Sequence, residues 1–385
     1  LDVESCDGAT LSNSSFDAAT GAGSFDCSFP DGPATHDVTV TVSDDDGGSD
    51  SDTRAVTVAN VGPTVTLTGA ASVNEGSTHT YSFTTSDPGA DAYVLGATEC
   101  GTGGTQVGPD TFNPATGSGS FDCSFVDGPA SPTISVTVSD SDGASDSVTR
   151  AVTVANVAPV ISSATVVVNP IGNQVTSTFT YSDAGVLDGQ TATFQYYLNG
   201  VLVRTSTTTP ANSLASSGTV ADVQTFGPGC YTIEVRMWIT DKDGASSATE
   251  TRNGGSTSTY DFAQASFEAP IKDNERNIAK YGNVVPIKVN LASMCSPGTT
   301  LTTPVLHITI ALGNATDAQP DATPIIIAES VSNADTGTQM RVNGGGYIYN
   351  FSTKQLKANQ DYTIRIRVGS TVGPIIARAL FQPKK

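Results

Sequence analysis

Thr53-Arg-Ala-Val-Thr-Val-Ala-Asn-Val61 is the stretch that decides the fold, because it returns unchanged as residues 149–157, an offset of 96 residues. At the same offset, Phe25-Asp-Cys-Ser-Phe29 returns as residues 121–125. A near-verbatim repeat of this length indicates a duplicated domain. Apolar and polar residues alternate in both copies, which places one face of each strand on a core and the other in water.

A third, diverged copy follows the two repeats. Tyr231-Thr-Ile-Glu-Val-Arg-Met-Trp-Ile-Thr240 has the alternation of the strand at Val38–Val42, and both strands run into an Asp-rich turn that ends in Gly. Gly, Ser, Thr, Asp and Val dominate the 385-residue sequence, which contains one Trp and three Met. This composition is typical of short strands joined by tight turns, so we predict an all-β protein.

The repeats divide the sequence into four predicted domains, at residues 1–61, 62–157, 158–262 and 263–385. Short linkers ending in Pro63 and Pro159 should hold neighbouring domains semi-rigidly. Leu1 aligns with about Leu95, so the first domain is expected to lack about 30 opening residues and to expose a strand edge. Those strands come either from sequence further upstream or from another subunit.

Charge is spread unevenly along the chain, which has a net charge of −20. Residues 1–160 contain 22 acidic and two basic residues, whereas residues 266–385 contain 12 basic and 8 acidic residues. The acidic front argues against nucleic acid as a partner, because phosphates would be repelled. It is either a solvated surface or one half of a head-to-tail attraction between copies. No apolar run reaches the ~20 residues of a membrane-spanning helix.

The six cysteines predict disulfides and an oxidising, extracellular compartment. Cys6 with Cys27, and Cys100 with Cys123, occupy equivalent places in the two repeats and are expected to pair. Cys230 and Cys295 remain. We expect them to bridge the third and fourth domains, with a reactive thiol or a link between subunits as the alternatives.

Three Asp-x-Asp-Gly loops are the candidate metal sites, since carboxylates two residues apart in a turn can converge on a hard cation such as calcium. Their aspartates are Asp44, Asp46, Asp140, Asp142, Asp241 and Asp243. Asp50, Asp87, Asp146 and Asp183 lie close enough in sequence to contribute further oxygens. The competing interpretation is that Asp and Gly simply make good turns. No cofactor is required on either interpretation.

The third domain resembles the polycystic-kidney-disease (PKD) type of immunoglobulin-like repeat. The resemblance is carried by Ser182-Asp-Ala-Gly-Val-Leu-Asp188, Phe226-Gly-Pro-Gly-Cys-Tyr231 and Thr240-Asp-Lys-Asp-Gly244. The first two domains look like divergent members of the same group. A usual Trp-Asp-x-Gly-like strand is replaced here by Gln195-Tyr-Tyr-Leu-Asn-Gly200.

Residues 263–385 resemble another immunoglobulin-like module of bacterial surface proteins, through Phe267-Glu-Ala-Pro270, Gly282-Asn-Val-Val-Pro286 and Gly345-Gly-Tyr-Ile-Tyr349. Together the two resemblances imply tandem immunoglobulin-like β-sandwiches outside the cell. They do not specify a function, because such modules serve as spacers, adhesins and stalks alike.

No catalytic site is predicted. The three histidines, His36, His79 and His307, are scattered and stand beside no cysteine nucleophile. Trp238 lies on the polar face of its strand, where it either covers a domain junction or anchors a partner.

We therefore expect a non-enzymatic extracellular structural protein, a subunit of a filament, sheath or surface layer. Its expected partners are further copies of itself, associating head to tail, or other surface proteins. The alternatives are an adhesin stalk or carbohydrate-binding spacer of a larger secreted protein, and an accessory region of a secreted hydrolase.

Overall fold

The computed structural model describes residues 1–186, 188–210, 215–254, 259–321, 335 and 337–385. Regular structure within these ranges is almost entirely β, with 31 strands and one short 3-10 helix, Thr353–Gln355. The described residues include no helix that is long and apolar enough to cross a membrane. The all-β prediction is therefore confirmed.

The chain forms two compact units. The first contains Leu1–Ala158 together with Asp183–Asp188 and one further short segment, and the second contains the rest of the chain to Lys385. The sheets of each unit are described in chain order below.

Residues 1–61 form two small antiparallel sheets, ordered β1-β4-β5 and β2-β3. Their strands are β1 (Val3–Ser5), β2 (Thr10–Asp17), β3 (Ala22–Ser28), β4 (Ala34–Ser43) and β5 (Ser49–Val58). Among the described residues β3 pairs with β2 alone, so its other edge is open.

Residues 62–157 form a complete sandwich with a four-stranded sheet, β10-β11-β8-β6, facing a three-stranded sheet, β13-β12-β9. This division into four and three strands is that of a constant-type immunoglobulin domain. The strands are β6 (Thr64–Thr68), β7 (Ser72–Asn74), β8 (Ser77–Ser86), β9 (Val94–Glu99), β10 (Gly104–Asn113), β11 (Ser118–Phe125), β12 (Thr133–Ser139), β13 (Ser145–Ala151) and β14 (Thr153–Ala155), with β7 parallel to β14.

The third predicted domain places its strands in sheets β15-β16-β19 and β18-β17-β21-β22, with a small β20-β23 ribbon. The strand β18, which follows β17 in the chain, thus lies in the same sheet as β17. Its counterpart in the preceding domain, β10, follows β9 but lies in the sheet opposite β9. The strands are β15 (Val160–Asn169), β16 (Gln174–Ser182), β17 (Thr191–Leu198), β18 (Val201–Thr208), β19 (Ser217–Thr225), β20 (Gly229–Tyr231), β21 (Ile233–Thr240), β22 (Glu250–Asn253) and β23 (Tyr260–Phe262).

The last sandwich has two four-stranded sheets, β24-β26-β29-β28 and β25-β31-β30-β27, with β25 parallel to β31. The strands are β24 (Gln264–Glu268), β25 (Arg276–Lys280), β26 (Val284–Ala292), β27 (Leu306–Leu312), β28 (Arg341–Asn343), β29 (Gly346–Ser352), β30 (Tyr362–Val368) and β31 (Ile375–Lys384). The chain is thus a series of immunoglobulin-like sandwiches, as predicted.

Three separate cores follow from the alternation in these strands, because every second side chain points inward. Among the described residues, the buried side chains of the first core lie between Val65 and Val154. Those of the second lie between Val175 and Phe262, and those of the third between Ala263 and Phe381. In β21, for example, Val235, Met237 and Ile239 are fully buried, while the residues between them face outward. The outward position between Val235 and Met237 is exposed, and that between Met237 and Ile239 is half-buried.

The structure forms three disulfides, Cys6–Cys27, Cys100–Cys123 and Cys230–Cys295. The second joins the two sheets of its sandwich, because Cys100 follows β9 and Cys123 lies in β11. The third joins β20 to the segment after β26. The carboxylate of Asp261 supports this link, since its Oδ1 accepts hydrogen bonds from the backbone amides of residues 294 and 295, at 2.6 and 3.2 Å.

The two identical pentapeptides differ in burial. Phe121 and Phe125 are 2% and 0% exposed, because both belong to the core of the second sandwich, where Tyr81 and Phe83 of β8 lie beside Phe121. Phe25, the counterpart of Phe121, is only partly buried on the open edge of β3. The same side chain therefore contributes differently to the two repeats.

We predict that Phe121→Ala destabilises its sandwich by about 3–5 kcal/mol, the usual cost of removing a buried Phe side chain. Phe25→Ala, the matched change in the first repeat, should cost less, because part of the Phe25 side chain is already exposed. Hydrogen exchange of peptides covering β11 and β3 would measure each effect locally. Equal loss of protection in both repeats would contradict the burial difference.

Candidate cation site

The three Asp-x-Asp-Gly loops are built alike. In each, Oδ1 of the first aspartate accepts a hydrogen bond from the backbone N–H four residues later, and the Gly has a positive φ that favours glycine. The bonds are Gly48 to Asp44 at 2.7 Å, Ala144 to Asp140 at 2.8 Å and Ala245 to Asp241 at 2.9 Å, with φ of 87° at Gly47, 95° at Gly143 and 93° at Gly244. In each loop, one carboxylate oxygen of the first aspartate therefore closes the turn, and only its other oxygen is left for contacts outside the turn.

In the first unit, carboxylates converge on the second of these loops. Asp87, Asp91 and Asp140 place oxygens within 4.8 Å of one another, and so do Asp31, Asp91 and Asp142. Asp140 and Asp142 lie between β12 and β13, and Asp87 and Asp91 lie between β8 and β9. Asp31 follows β3 of the first repeat. We call these five residues the aspartate cluster.

Two oxygens of the cluster are shielded from solvent without a hydrogen-bond donor among the described residues, namely Oδ2 of Asp87 and Oδ2 of Asp91. The other oxygen of each is bonded, Asp87 Oδ1 to the amide of Gly89 at 2.9 Å and Asp91 Oδ1 to the hydroxyl of Ser141 at 2.8 Å. A buried, unpaired carboxylate oxygen is costly. These two atoms are suited to a ligand that accepts electron pairs.

Gly89 makes room at the centre of the cluster. A Cβ at this position would collide with Oδ2 of Asp91 and would lie 3.3 Å from Oδ1 of Asp31 and 3.4 Å from Oδ1 of Asp87. Carboxylates of three residues therefore border the space that only a glycine leaves open.

The electrostatics of the cluster are dominated by repulsion. Among the described residues, none of the five aspartates forms an ion pair with Lys or Arg. Partial loss of hydration raises the pKa of Asp142, and the nearby carboxylates of Asp91, Asp31 and Asp140 raise it further. Asp140 differs, because a hydrogen bond from the Asn60 side chain, at 2.9 Å, lowers its pKa. Such a set of oxygens can hold a hard divalent cation.

The other two loops have different surroundings. Asp44 and Asp46 are exposed and belong to no group of three candidate ligands in the described part of the chain. Asp241, in the second unit, is buried at 5% exposure, and Asp243 forms an ion pair with Lys242 at 2.6 Å. Calcium at these two loops stays a prediction.

The accessory aspartates named from the sequence also differ. Asp146 accepts a hydrogen bond from the amide of Val65 at 2.8 Å, which anchors β6, and Asp50 is exposed in β5. Asp87 joins the aspartate cluster. Sequence reasoning missed Asp31 and Asp91, although the recurrence of Asp31-Gly-Pro as Asp127-Gly-Pro was a usable signal for the first.

A second acidic group in the first unit brings Glu75, Asp183 and Asp188 within 4.8 Å of one another. Glu75 is 2% exposed and accepts hydrogen bonds from the amides of Gly128 and Val157, both at 2.7 Å. Burial raises its pKa. Glu75 thereby ties the loop after β11 to the segment after β14. Only Asp183 of this group was singled out from the sequence.

Comparisons with known proteins find structurally similar proteins but no matching family. No protein-family model matches the chain, and no curated protein matches it.

Among solved structures, the tetra-tandem repeat in the extending region of a large adhesion protein covers 98% of this chain and 92% of its own, at 15% identity and a TM-score of 0.33. The FN1–FN3 domains of chicken CNTN1 give 11% identity and a TM-score of 0.29, covering 80% and 95%. A three-domain fragment of titin gives 9% and 0.22, covering 85% and 99%. The assignment of the fold therefore rests on the chain's own sheets.

We predict that Asp142→Asn raises the melting temperature of the first unit in the presence of a chelator. The amide keeps the size of the side chain and removes a charge that Asp91, Asp31 and Asp140 repel. Calorimetry in EDTA at neutral pH measures the effect. Asp46→Asn is the matched control in the first loop, and a fall in melting temperature for Asp142→Asn, or an equal rise in both variants, would contradict the repulsion.

Proposed function

We propose that the protein is an extracellular structural element whose consecutive immunoglobulin-like sandwiches are fastened by calcium, and that it assembles into a filament, sheath or surface layer. The observation that carries this proposal is the aspartate cluster, because Asp31 of the first repeat lies within 4.8 Å of the carboxylates of Asp91 and Asp142 in the second. A cation bound there would tie two successive repeats together. Strengthening the link between repeats is a structural role and does not require a catalytic group.

Calcium suits the cluster better than other common cations. It takes six to eight oxygen ligands in flexible geometry, whereas magnesium demands a tight octahedron and keeps most of its water. Asp31, Asp87, Asp91, Asp140 and Asp142 would supply carboxylate oxygens, with backbone carbonyls or water completing the shell. The two shielded Oδ2 atoms and the open space at Gly89 support this assignment.

A location outside the cell is supported by the cysteines. All six are paired in disulfides, and such bonds persist in oxidising compartments. Each of the two bridges within a repeat closes a loop of about 20 residues, for which chain entropy predicts about 3 kcal/mol of stabilisation.

Self-association is supported by the charge distribution. The 22 acidic residues of positions 1–160 and the excess of basic residues in positions 266–385 favour contact between opposite ends of two copies. Contacts between exposed charges weaken as salt screens them. The assembly should therefore respond to ionic strength. A stalk or spacer of a larger secreted protein, or an accessory region of a secreted hydrolase, would instead stay monomeric at every salt concentration.

We predict that calcium stabilises the first unit and that Asp140→Asn removes most of this effect. A ligand at about one hundred times its dissociation constant adds about 2.7 kcal/mol to folding stability. Calorimetry with and without calcium measures the difference for each variant, so that any direct effect of the substitution on the turn cancels.

Asp44→Asn is the control, because Asp44 closes the equivalent turn of the first repeat without joining the cluster. Gly89→Ala should behave like Asp140→Asn, since its methyl group would enter the space between the carboxylates. An unchanged melting temperature of the native protein in calcium, or equal stabilisation of all three variants, would refute the calcium site.

We predict that electron microscopy of the native protein at low salt with calcium shows regular filaments or lattices. High salt should dissolve them by screening, and a chelator should disorder them if calcium fastens the repeats. Single, unassociated molecules under every condition would refute the assembly and leave the stalk or accessory alternatives. Ordered assemblies that survive the chelator would keep the assembly and remove calcium from it.

A further inference from the structure

The sheet β18-β17-β21-β22 in the second unit carries a groove on its outward face. The groove has a volume of about 620 Å³, within the range of small-molecule sites. The residues that line it come from β17, β21 and the segment running into β22, and they are Gln195, Glu234, Arg236, Trp238, Ser246, Ser247, Thr249 and Thr251. All of them lie outside the aspartate cluster and in the other unit.

Trp238 is the unusual member of this surface. It is the only Trp in the chain, and it lies among outward-facing side chains of β21, since Met237 and Ile239 on either side of it are fully buried. Its cross-strand neighbour on β17 is Thr193. The indole therefore lies outside the core, and Trp side chains with one apolar face and one hydrogen-bonding edge are enriched at contact surfaces.

The wall beside Trp238 is fixed by hydrogen bonds. Ser247 accepts a bond from the amide of Ile239 at 3.1 Å, and the hydroxyls of Ser246 and Thr240 lie 2.8 Å apart. The groove is thus preformed, which lowers the entropic cost of binding.

The charges in the groove neutralise each other. Arg236 donates to Glu234 at 2.8 Å, and its guanidinium lies 4.4 Å from the centre of the Tyr197 ring. Tyr197 in turn donates to Oε1 of Gln195 at 3.1 Å. An anionic ligand would meet Glu234 and a cationic one would meet Arg236. Charge complementarity therefore selects a neutral ligand, and the amide and hydroxyl groups of the lining select one rich in hydrogen-bonding groups.

We propose that this face binds a neutral saccharide, with the C–H face of one sugar ring on the Trp238 indole and its hydroxyls on Gln195, the Arg236–Glu234 pair and the Ser and Thr hydroxyls. A pyranose has this combination of one apolar face and a polar edge, which an apolar peptide lacks. The inference goes beyond the structural role proposed above and does not depend on calcium or assembly.

The single Trp provides the test, because its fluorescence reports on this groove alone. The native chain, kept unassociated in EDTA and high salt, is titrated with neutral hexasaccharides of glucose, xylose, mannose and N-acetylglucosamine, and with sulfated and uronate oligosaccharides. We expect a saturable change in emission with at least one neutral sugar. Binding confined to the anionic sugars, or no binding to any, would overturn the proposal.

Calorimetric titration of variants locates the site. Trp238→Ala should weaken binding about tenfold or more and Gln195→Ala by a smaller factor, whereas Trp238→Phe should retain part of the affinity. Val223→Ala is the control, because Val223 is 55% exposed on β19 in the other sheet of the same sandwich. Circular dichroism confirms that each variant is folded. Equal affinity of native protein and Trp238→Ala would place the sugar elsewhere and refute the site.

Discussion

The carboxylate of Asp140 connects the fold of the second sandwich to its candidate site. Its Oδ1 accepts two backbone N–H groups, of Asp142 at 3.0 Å and Ala144 at 2.8 Å, and so closes the hairpin between β12 and β13. Its Oδ2 accepts the side chain of Asn60, from the segment between the first two repeats. Because one group serves both purposes, the turn that ends the hairpin also fixes where the aspartate cluster forms.

The sandwiches were predictable because the residue pattern within each strand shows which of its side chains are buried. Alternation along β12 and β21 shows which side chains enter a core, and the offset of 96 residues places Cys123 where Cys27 stands in the first repeat. These signals are local or periodic, so they can be recognised in the sequence without knowledge of tertiary contacts.

The cation cluster was only half predictable, for a physical reason. Asp140 and Asp142 belong to a recognisable turn, but Asp31 and Asp91 reach them across the fold from loops without a metal-binding pattern. The loop at Asp44 has the same local chemistry as that at Asp140, yet among the described residues Asp44 and Asp46 join no group of three candidate ligands. The three loops come together because of how the sheets pack, and the spacing of aspartates within one loop does not predict this. The pairing of β18 with β17, in the sheet that carries Trp238, was likewise not visible in the pattern.

The positions of the disulfides also determine how the protein would respond to force. Tension applied along the chain bypasses any residues enclosed by a bridge, because the sulfur–sulfur bond carries the load. The bridges span 21, 23 and 65 residues, and at about 3.4 Å per extended residue they withhold roughly 370 Å of contour length. A reducing environment would release that length. Under oxidising conditions, a molecule under tension reaches its maximum extension well below the contour length of its full sequence. This limits how far a tether made of such modules can stretch.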